Sequence, residues 1–520
     1  MKHIYKLFLI PSSLFCLTSC GLISPISSSE GGSSNHNSSG NGSSSNGSSI
    51  IDDNNPVITN SQEYELFWNP TTELKFNITM SIDAANFIND KQSNHDDSTY
   101  FDYYVPCTFS YTMNGVTTTI EEVGIREKGN LSRRAPLDNG NFSLNTLAHY
   151  KLSFKETFDG DEYDNINELK KFKKTWANET LRSERKNRRL FDMEKIDIKW
   201  NRNDDKSKVR QSYALKTFRE NGVLAPNSTL ANVTLGITGK SPINTTYEVF
   251  ECIDSVFIKR HFSSLTADGD LYKCTYSFSP ANFNKNYRVN NQIGIEDNTK
   301  NYHPVYDLKT NKKKSSEHKR LLKIFDVVND TTSDASTFKS KVEQVIDMKS
   351  FMMYESIAYL LGNFDDMRNN ANNYYLYIAS TTEKAYFIPY DFDRCLGCGT
   401  EGRQEYMTSF SPESTKMQCN GEWQSINLFW RTVCTSSDSG SGHSKIERVE
   451  DYRMMYQNNI ENIVNKGIMS SESFASYVNS FPSSYRGSVN GDKDGNCSFE
   501  HYFDLKIEAI KKNTQYNIEK

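Results

Sequence analysis

The sequence predicts an α+β protein in which strands dominate the first half and helices the second. Between residues 74 and 252, short runs alternate apolar and polar residues, which is the pattern of half-buried strands. Between residues 321 and 361, apolar residues recur every three or four positions, as they do in helices that pack on one face. Aromatic residues make up 12% of the 520 residues, so the chain has enough apolar surface to build a core.

Turn signals separate the strands expected in the first half. Asn114-Gly115 favours a hairpin turn, because this dipeptide adopts the left-handed backbone that a type I′ turn needs. One helix interrupts the strands at 206–220, and Asn221-Gly222 followed by Pro226 ends it. The predicted strands are Leu74–Ile82, Val105–Thr112, Val116–Ile125, Tyr150–Phe154, Leu230–Ile237 and Thr246–Cys252.

The second half is expected to hold helices followed by a strand pair. Gly362 is placed to end the last helix before a polar loop, because glycine tolerates the left-handed conformation common after helices. A C-terminal helix is predicted over 500–516, packed through Phe503, Ile507 and Ile510. The other predicted elements are helices Leu321–Val328, Phe338–Ile346 and Lys349–Leu361 and strands Asn373–Ala379 and Ala385–Tyr390.

The first twenty residues have the character of an export signal. Lys2 and Lys6 flank the start of a short apolar segment, and Leu17-Thr18-Ser19-Cys20 resembles the bacterial lipobox, in which the Cys is acylated. Residues 21–50 contain 13 Ser, 6 Gly and 4 Asn, which is the composition of a flexible linker. We therefore expect a signal peptide over 1–20, a disordered linker over 21–62 and a folded domain over 63–520. The protein would be extracytoplasmic and anchored to the cell membrane by lipid at Cys20.

Charge and hydropathy exclude some classes of partner. The formal net charge is -5, which gives no electrostatic case for nucleic acid. After the N-terminal segment no apolar run reaches the ~18–20 residues of a membrane-spanning helix. The N-terminal lipid is therefore the expected membrane contact.

Eight cysteines follow Cys20, and an even number outside the cytoplasm favours disulfides. Cys395-Leu-Gly-Cys398 and the cysteines that follow it also leave open a four-thiolate zinc site or a redox pair. The spacing favours disulfides, because the later two cysteines are not close together. The eight are Cys107, Cys252, Cys274, Cys395, Cys398, Cys419, Cys434 and Cys497.

Three polar stretches carry residues suited to phosphate chemistry. In Gly124–Ser132, strand alternation puts Arg126 and Lys128 on one face before Gly129, where two cations suit a phosphate. A loop at 362–373 holds two Asp and several Asn residues between a helix and a strand. After the next strand, Asp391 and Asp393 lie two positions apart, as expected for a divalent cation, with Mg²⁺ favoured where phosphates complete the shell.

The order of these stretches is that of the catalytic half of protein kinases: helix, Asp/Asn loop, two strands, Asp at the exit. With this order, the chain resembles the spore coat protein H (CotH) kinase family of atypical secreted or surface kinases. The resemblance runs from about residue 65 to 400, with the remainder a helical extension. It is carried by VGIREKGNLS (123–132), YKLSF (150–154), ENGVLAP (220–226), YEVFECID (247–254), LYK (271–273), GNFD (362–365), NNYYLY (372–377) and FIPYDFDRCLG (387–397).

The resemblance implies an atypical protein-kinase-like fold and ATP-dependent phosphotransfer to Ser or Thr of a protein, with Mg²⁺. Asp365 matches the catalytic Asp and Asp391 the magnesium-binding Asp. Asn373 matches the metal-side Asn, with Asp393 beside it. By the same resemblance, phosphates would be contacted by Arg126, Lys128 and Lys151, and the outer edge of the nucleotide by Glu251.

Several assignments remain open at this stage. Asn372 stands where family members usually have His. Asn370, five positions after Asp365, matches the spacing of the kinase catalytic loop better than Asn373 does, and Asp366 competes with Asp365. Transfer of AMP from ATP would use the same residues, and a non-catalytic adhesion or scaffold protein is the alternative from another class.

Overall fold

The computed structural model describes residues 55–93, 102–129, 132–201, 205–277, 279–397, 410–414, 416–419, 422–425, 428, 449–488 and 499–519. The export signal, Cys20 and most of the linker lie outside these residues. The strands are β1 (Leu74–Met80), β2 (Val105–Met113), β3 (Val116–Glu127), β4 (Leu137–Asp138), β5 (Asn141–Phe142), β6 (Tyr150–Ser153), β7 (Lys195–Trp200), β8 (Ser228–Ile237), β9 (Ile243–Glu251), β10 (Asp270–Cys274), β11 (Ile293–Gly294), β12 (Tyr306–Leu308), β13 (Tyr374–Ile378), β14 (Ala385–Pro389), β15 (Lys416–Cys419) and β16 (Glu422–Ser425).

Helices of 4 to 12 residues accompany the strands of the first half, and helices of up to 16 residues follow. They are α1 (Gln62–Trp68), α2 (Ile82–Ser93), α3 (Glu162–Asn165), α4 (Glu179–Lys186), α5 (Arg210–Glu220), α6 (Ser255–His261), α7 (Lys319–Val328), α8 (Ala335–Val345), α9 (Met348–Leu361), α10 (Met367–Asn370), α11 (Glu450–Asn465), α12 (Ser471–Val478) and α13 (Phe499–Lys511). The predicted α+β class is therefore confirmed. No helix among the described residues is both long enough and apolar enough to cross a membrane.

The first half forms a closed barrel with strand order β1-β2-β3-β6-β7-β9-β8. Alternation along each strand puts residues such as Ile125, Leu152 and Ile196 in the barrel interior, where they are buried. Asn114 and Gly115 both have positive φ and join β2 to β3, so the predicted hairpin is confirmed.

The second half packs helices on a five-stranded sheet of order β11-β12-β10-β13-β14. Helix α9 is buried along nearly its whole length and packs on this sheet and on α11. Phe250, on the outer face of barrel strand β9, and Leu230 on β8 belong to the same apolar core as α5 and α9. The outer face of the barrel therefore lies against the helical half, and the cleft between them is where the site forms.

The cysteines differ from the prediction. Cys107, Cys252, Cys274 and Cys395 are buried as free thiols, so the disulfide prediction is wrong for these four. Cys107 lies in the barrel core and Cys274 in the second core, where each behaves as a small apolar side chain. Of the other four, the side chains of Cys398, Cys419, Cys434 and Cys497 lie outside the described part of the chain.

Candidate functional site

A row of charged side chains crosses the outer face of the barrel. The strand registers pair Arg126 on β3 with Lys151 on β6, and Lys151 with Asp197 on β7. The three side chains are therefore direct cross-strand neighbours. The Asp197 carboxylate accepts hydrogen bonds from Lys128 at 2.7 Å and contacts the Lys151 ammonium at 3.1 Å. One buried carboxylate thus holds two of the predicted phosphate-binding lysines.

The electrostatics of this group follow from its burial. Burial alone would raise the pKa of Asp197, but the ammonium groups of Lys128 and Lys151 outweigh it and lower that pKa. Burial would likewise lower the pKa of Lys151, and Asp197 is the main reason that it is raised instead. The Asp197 carboxylate and the Lys151 ammonium are therefore charged at neutral pH.

A second ion pair joins the barrel to the helical half. Lys199, two residues along β7 from Asp197, donates to the Asp391 carboxylate and lies 3.6 Å from Asp393. Its ammonium also donates to Gln211 of α5 at 2.8 Å. Burial would raise the pKa of Asp391, but Lys199 and then Lys128 lower it. The Asp391 side chain keeps 35% of its surface exposed, whereas Asp197 keeps 4%.

The two carboxylates follow the strand rather than lie in it. Strand β14 ends at Pro389, and Asp391 has a left-handed backbone with φ of 56°. Alternation within a strand therefore does not explain why Asp391 and Asp393 converge, although the sequence predicted that they share a face. They converge on one ammonium group, that of Lys199.

Asp365 lies in the loop between α9 and β13. Gly362 ends α9 with φ of 59°, and Asp366 caps α10 by accepting from the Asn369 amide at 2.8 Å. Because Asp366 is fully buried in this capping role, Asp365 is the loop carboxylate that is partly exposed.

Three side-chain amides orient the Asp365 carboxylate. Asn370 and Asn372 donate to one oxygen at 2.7 and 3.0 Å, and Asn373 donates to the other at 3.1 Å. The sequence left open which Asn serves the site, and the structure brings all three to Asp365. Asn373 also donates to the Asp365 carbonyl at 2.8 Å, which ties its position to the loop.

The Asp365 loop and the Asp391 turn meet at one edge of the second sheet. Tyr374 is paired with Pro389, so the start of β13 and the end of β14 are neighbours. The Tyr390 amide donates to the Asn373 carbonyl at 3.2 Å and extends that pairing. The Tyr390 hydroxyl accepts from Lys128 at 3.2 Å, which connects this edge to the barrel cations.

Two predicted residues have their ion-pair partners outside this centre. Arg126 pairs with Asp102, and its guanidinium lies 5.4 Å from the centre of the Tyr104 ring. Glu251 faces away from the cleft: it is 5% exposed and accepts from Tyr64 at 2.8 Å, near Arg260. The structure therefore does not place Glu251 with the other predicted site residues.

Sequence reasoning missed Asp197 and Lys199, which are both on β7. The strand reads Lys-Ile-Asp-Ile-Lys-Trp, an alternation that could have identified it. Its polar positions are the ones that face the cleft.

Oxygen donors for a cation come from two parts of this site, the turn that holds Asp391 and Asp393 and the loop that holds Asn373. Among the described residues no group of three His, Cys, Asp or Glu side chains is arranged to hold a metal ion. A divalent ion at Asp391 and Asp393 would therefore complete its shell with an amide oxygen and with ligand oxygens or water, as Mg²⁺ commonly does.

Comparison with known families supports the sequence resemblance. The family model described as CotH kinase protein matches residues 167–518, more than half of the chain. The match includes Asp197, Lys199, Asp365 and Asp391, and it extends beyond residue 400 into the C-terminal helices. Arg126, Lys128 and Lys151 precede the matched region. None of the curated proteins matches the chain.

Proposed function

This chain belongs to the CotH kinase family, and from that premise we propose that it is a protein kinase that transfers the γ-phosphate of ATP to Ser or Thr. The observation that carries the proposal is the meeting of Asp365 and Asp391 at one sheet edge, opposite the buried lysines of the barrel. Phosphoryl transfer needs little covalent chemistry from the protein and depends on position and electrostatics. A strand-rich half that supplies cations and a helical half that supplies carboxylates support the proposal of a kinase-like fold.

The phosphate chain would lie between the two halves. Lys128, Lys151 and Lys199 reach the cleft from three barrel strands or their ends, and each is held by a carboxylate. Phosphate oxygens are stronger acceptors for such groups than neutral atoms are, because both partners are charged. ATP would therefore share these lysines with Asp197 and Asp391.

The donor set fits Mg²⁺. Asp391 and Asp393 already converge on a cation, the Lys199 ammonium, and the Asn373 side chain lies at the same edge. These are the hard oxygen ligands that Mg²⁺ prefers. When bound, the ion would neutralise charge that builds up on the phosphate oxygens.

Asp365 would orient the acceptor hydroxyl. The hydroxyl oxygen forms a bond to the γ-phosphorus, and the bond from that phosphorus to the β–γ bridging oxygen breaks. ADP leaves with the electron pair, and the hydroxyl proton goes to the Asp365 carboxylate. The three Asn amides hold that carboxylate in one orientation, so little of its freedom is lost when the substrate binds.

We further propose that lipid at Cys20 and the Ser/Gly/Asn-rich linker hold this kinase outside the cell. A flexible linker of that length would let the cleft reach proteins several nanometres from the membrane surface. Its substrates would then be extracytoplasmic or surface proteins.

Two substitutions test the assignment of roles. Asp391→Asn removes a negative charge from the metal site, so ATP binding in Mg²⁺ should weaken and transfer should stop. Asp365→Asn should leave ATP binding nearly intact and lower turnover by about 10²–10⁴-fold, the usual size of general-base assistance. Asp504→Asn, an exposed carboxylate of α13, is the matched control and should change neither.

The position of the label separates the alternative chemistries. ATP labelled at the γ-phosphate should label the protein acceptor, whereas label from the α-phosphate would indicate AMP transfer. If both site variants bind ATP and label substrate like the parent, the site assignment is wrong. If the parent binds no nucleotide, the scaffold alternative replaces the kinase proposal.

A further inference from the structure

Lys273 on β10 is a cleft residue that the proposed mechanism does not use. Strand β10 is the central strand of the second sheet, and its register pairs Lys273 with Asp307 on one side and Tyr375 on the other. Leu271, two residues earlier on the same face, packs in an apolar cluster with Tyr375, against which Tyr390 packs. Lys273 therefore projects from the sheet face that carries Tyr390.

Within the described part of the chain, Lys273 differs from its neighbours in having no ion-pair partner. The other cations around it are each paired: Lys128 and Lys151 with Asp197, Lys199 with Asp391, and Lys309 with Asp307 and Glu296. Among the residues that the structure describes, no carboxylate lies within 4.0 Å of the Lys273 ammonium, which is also without a hydrogen bond there. Its described contact is with the ring of Tyr390, whose centre is 5.8 Å away.

The Tyr390 ring has two ammonium groups near it. Lys128 lies 5.4 Å from the ring centre and Lys273 5.8 Å from it. One aromatic face attracts a cation, but two cations at one ring repel each other unless an anion lies between them. Burial is the main reason that the pKa of Lys273 is lowered; the neighbouring ammonium groups of Lys309 and Lys128 lower it further, while Glu296 and Asp307 act in the opposite direction.

We propose that Lys273 contacts the phosphate chain of the bound nucleotide from the second sheet, opposite the barrel lysines. This inference rests on the proposed function, and the ligand class is a polyphosphate anion. Such an anion would supply the negative partner that Lys273 lacks among the described residues. It would lie beside Tyr390, between Lys273 and Lys128. A charged hydrogen bond of this kind is worth more than a neutral one.

The test measures binding of ATP with Mg²⁺ and, separately, of inorganic tripolyphosphate to the purified full chain. Lys273→Met keeps the length of the side chain and removes its charge, so it should weaken both ligands by about 10-fold or more. Lys273→Arg retains a cation and should restore most of the affinity. Lys259→Met removes an exposed lysine of α6 and should change both affinities by less than about 2-fold. Equal thermal unfolding of the variants shows that they are folded.

Each outcome decides between the two proposals. Unchanged binding of ATP and tripolyphosphate by Lys273→Met overturns the role of Lys273 and leaves the proposed function standing. Tripolyphosphate binding that depends on Lys273, in a parent chain that does not bind ATP, supports the anion subsite and removes the kinase proposal. A parent chain that binds neither ligand overturns both.

Discussion

At the scale of single residues, the cleft depends on carboxylates that hold lysines in place before any ligand arrives. Asp197 is the clearest case, because two ammonium groups share it and its side chain is nearly inaccessible. Such a pair is costly to break on one side only, since the partner then remains buried and charged. Asp197 thus keeps Lys128 and Lys151 positioned at the cleft.

Replacing Asp197 by Asn should destabilise the protein by about 3 kcal/mol or more at pH 7, the cost of leaving a buried charge without its partner. Chemical denaturation measures this. Asp83→Asn is the control, because Asp83 pairs with Lys171 on the exposed surface, where such pairs contribute about 0–1 kcal/mol. Similar losses for the two variants would contradict the role given to Asp197.

The same pair predicts a pH dependence. The pKa of Asp197 is lower in the folded protein than its usual value of about 3.9, so its contribution to stability is present above that pH. This contribution is lost as the pH falls through the pKa that Asp197 has in the folded protein. The difference in unfolding free energy between the parent and Asp197→Asn should therefore be full near pH 7 and shrink below about pH 4. A difference in unfolding free energy that grows as the pH falls would contradict the lowered pKa of Asp197.

At the scale of elements, α13 supports the helix that leads into the Asp365 loop. The Tyr502 hydroxyl donates to the Leu360 carbonyl at 2.8 Å, and the Lys506 ammonium lies 3.8 Å from the centre of the Tyr359 ring. Both contacts are with the last turn of α9, just before Gly362. The predicted packing face is confirmed, since Phe503 and Ile510 are buried and Ile507 is partly so. The helix ends at Lys511 rather than at residue 516, because Asn513 and Thr514, which follow Lys511, are poor helix formers.

Ile510→Ala should lower the unfolding free energy by about 2–5 kcal/mol, because it removes buried methyl groups and leaves a cavity. Denaturant unfolding monitored by circular dichroism gives the value. Glu508→Ala, on the exposed side of the same helix, is the matched control and should have an effect of about 0.5 kcal/mol or less. Equal effects would argue against packing of α13 on the core.

At the scale of the whole molecule, the free cysteines are spread over both cores and the cleft. Cys107 is in the barrel, Cys274 and Cys395 are in the helical half, and Cys252 follows β9 beside Lys151 and Asp197. Burial raises the pKa of the Cys252 thiol to about 12, and burial raises the pKa of the other three as well. Thiolates, the reactive form, are thus rare at these four cysteines in the folded protein.

We expect these four thiols to resist a thiol reagent in the native state and to react after unfolding without reductant. Titration should then find at least four free groups. Fewer than four would mean that some of Cys107, Cys252, Cys274 and Cys395 form disulfides after all. The native protein serves as its own control, because the reagent and the protein concentration stay the same.

Local sequence was enough to predict the class, six of the seven barrel strands and the position of Asp391. Alternation predicted the barrel strands that carry Arg126 and Lys151, and the order of helix, loop and strand pair located Asp391 and the loop that holds Asp365. Only the structure distinguished Asp365 from Asp366, which is buried as the cap of α10. These signals are local, because period and turn chemistry depend on neighbours in the chain. Other elements, such as strand β7 and helices α11 and α12, were not predicted.

What only the tertiary structure decided is which charges meet. Asp197 and Lys199 acquire their partners, Lys128, Lys151 and Asp391, from strands and turns that are distant in sequence, and Glu251 is turned to the far side of its strand. Lys273 is distinguished by the lack of a partner within the described residues, which no local pattern can show. The physical reason is that an ion pair depends on distance and burial, and both are fixed only when the barrel closes against the helical half. The sequence by itself therefore determined the fold class and the strands and helices with a clear period, and the packing of the two halves determined the electrostatics of the cleft.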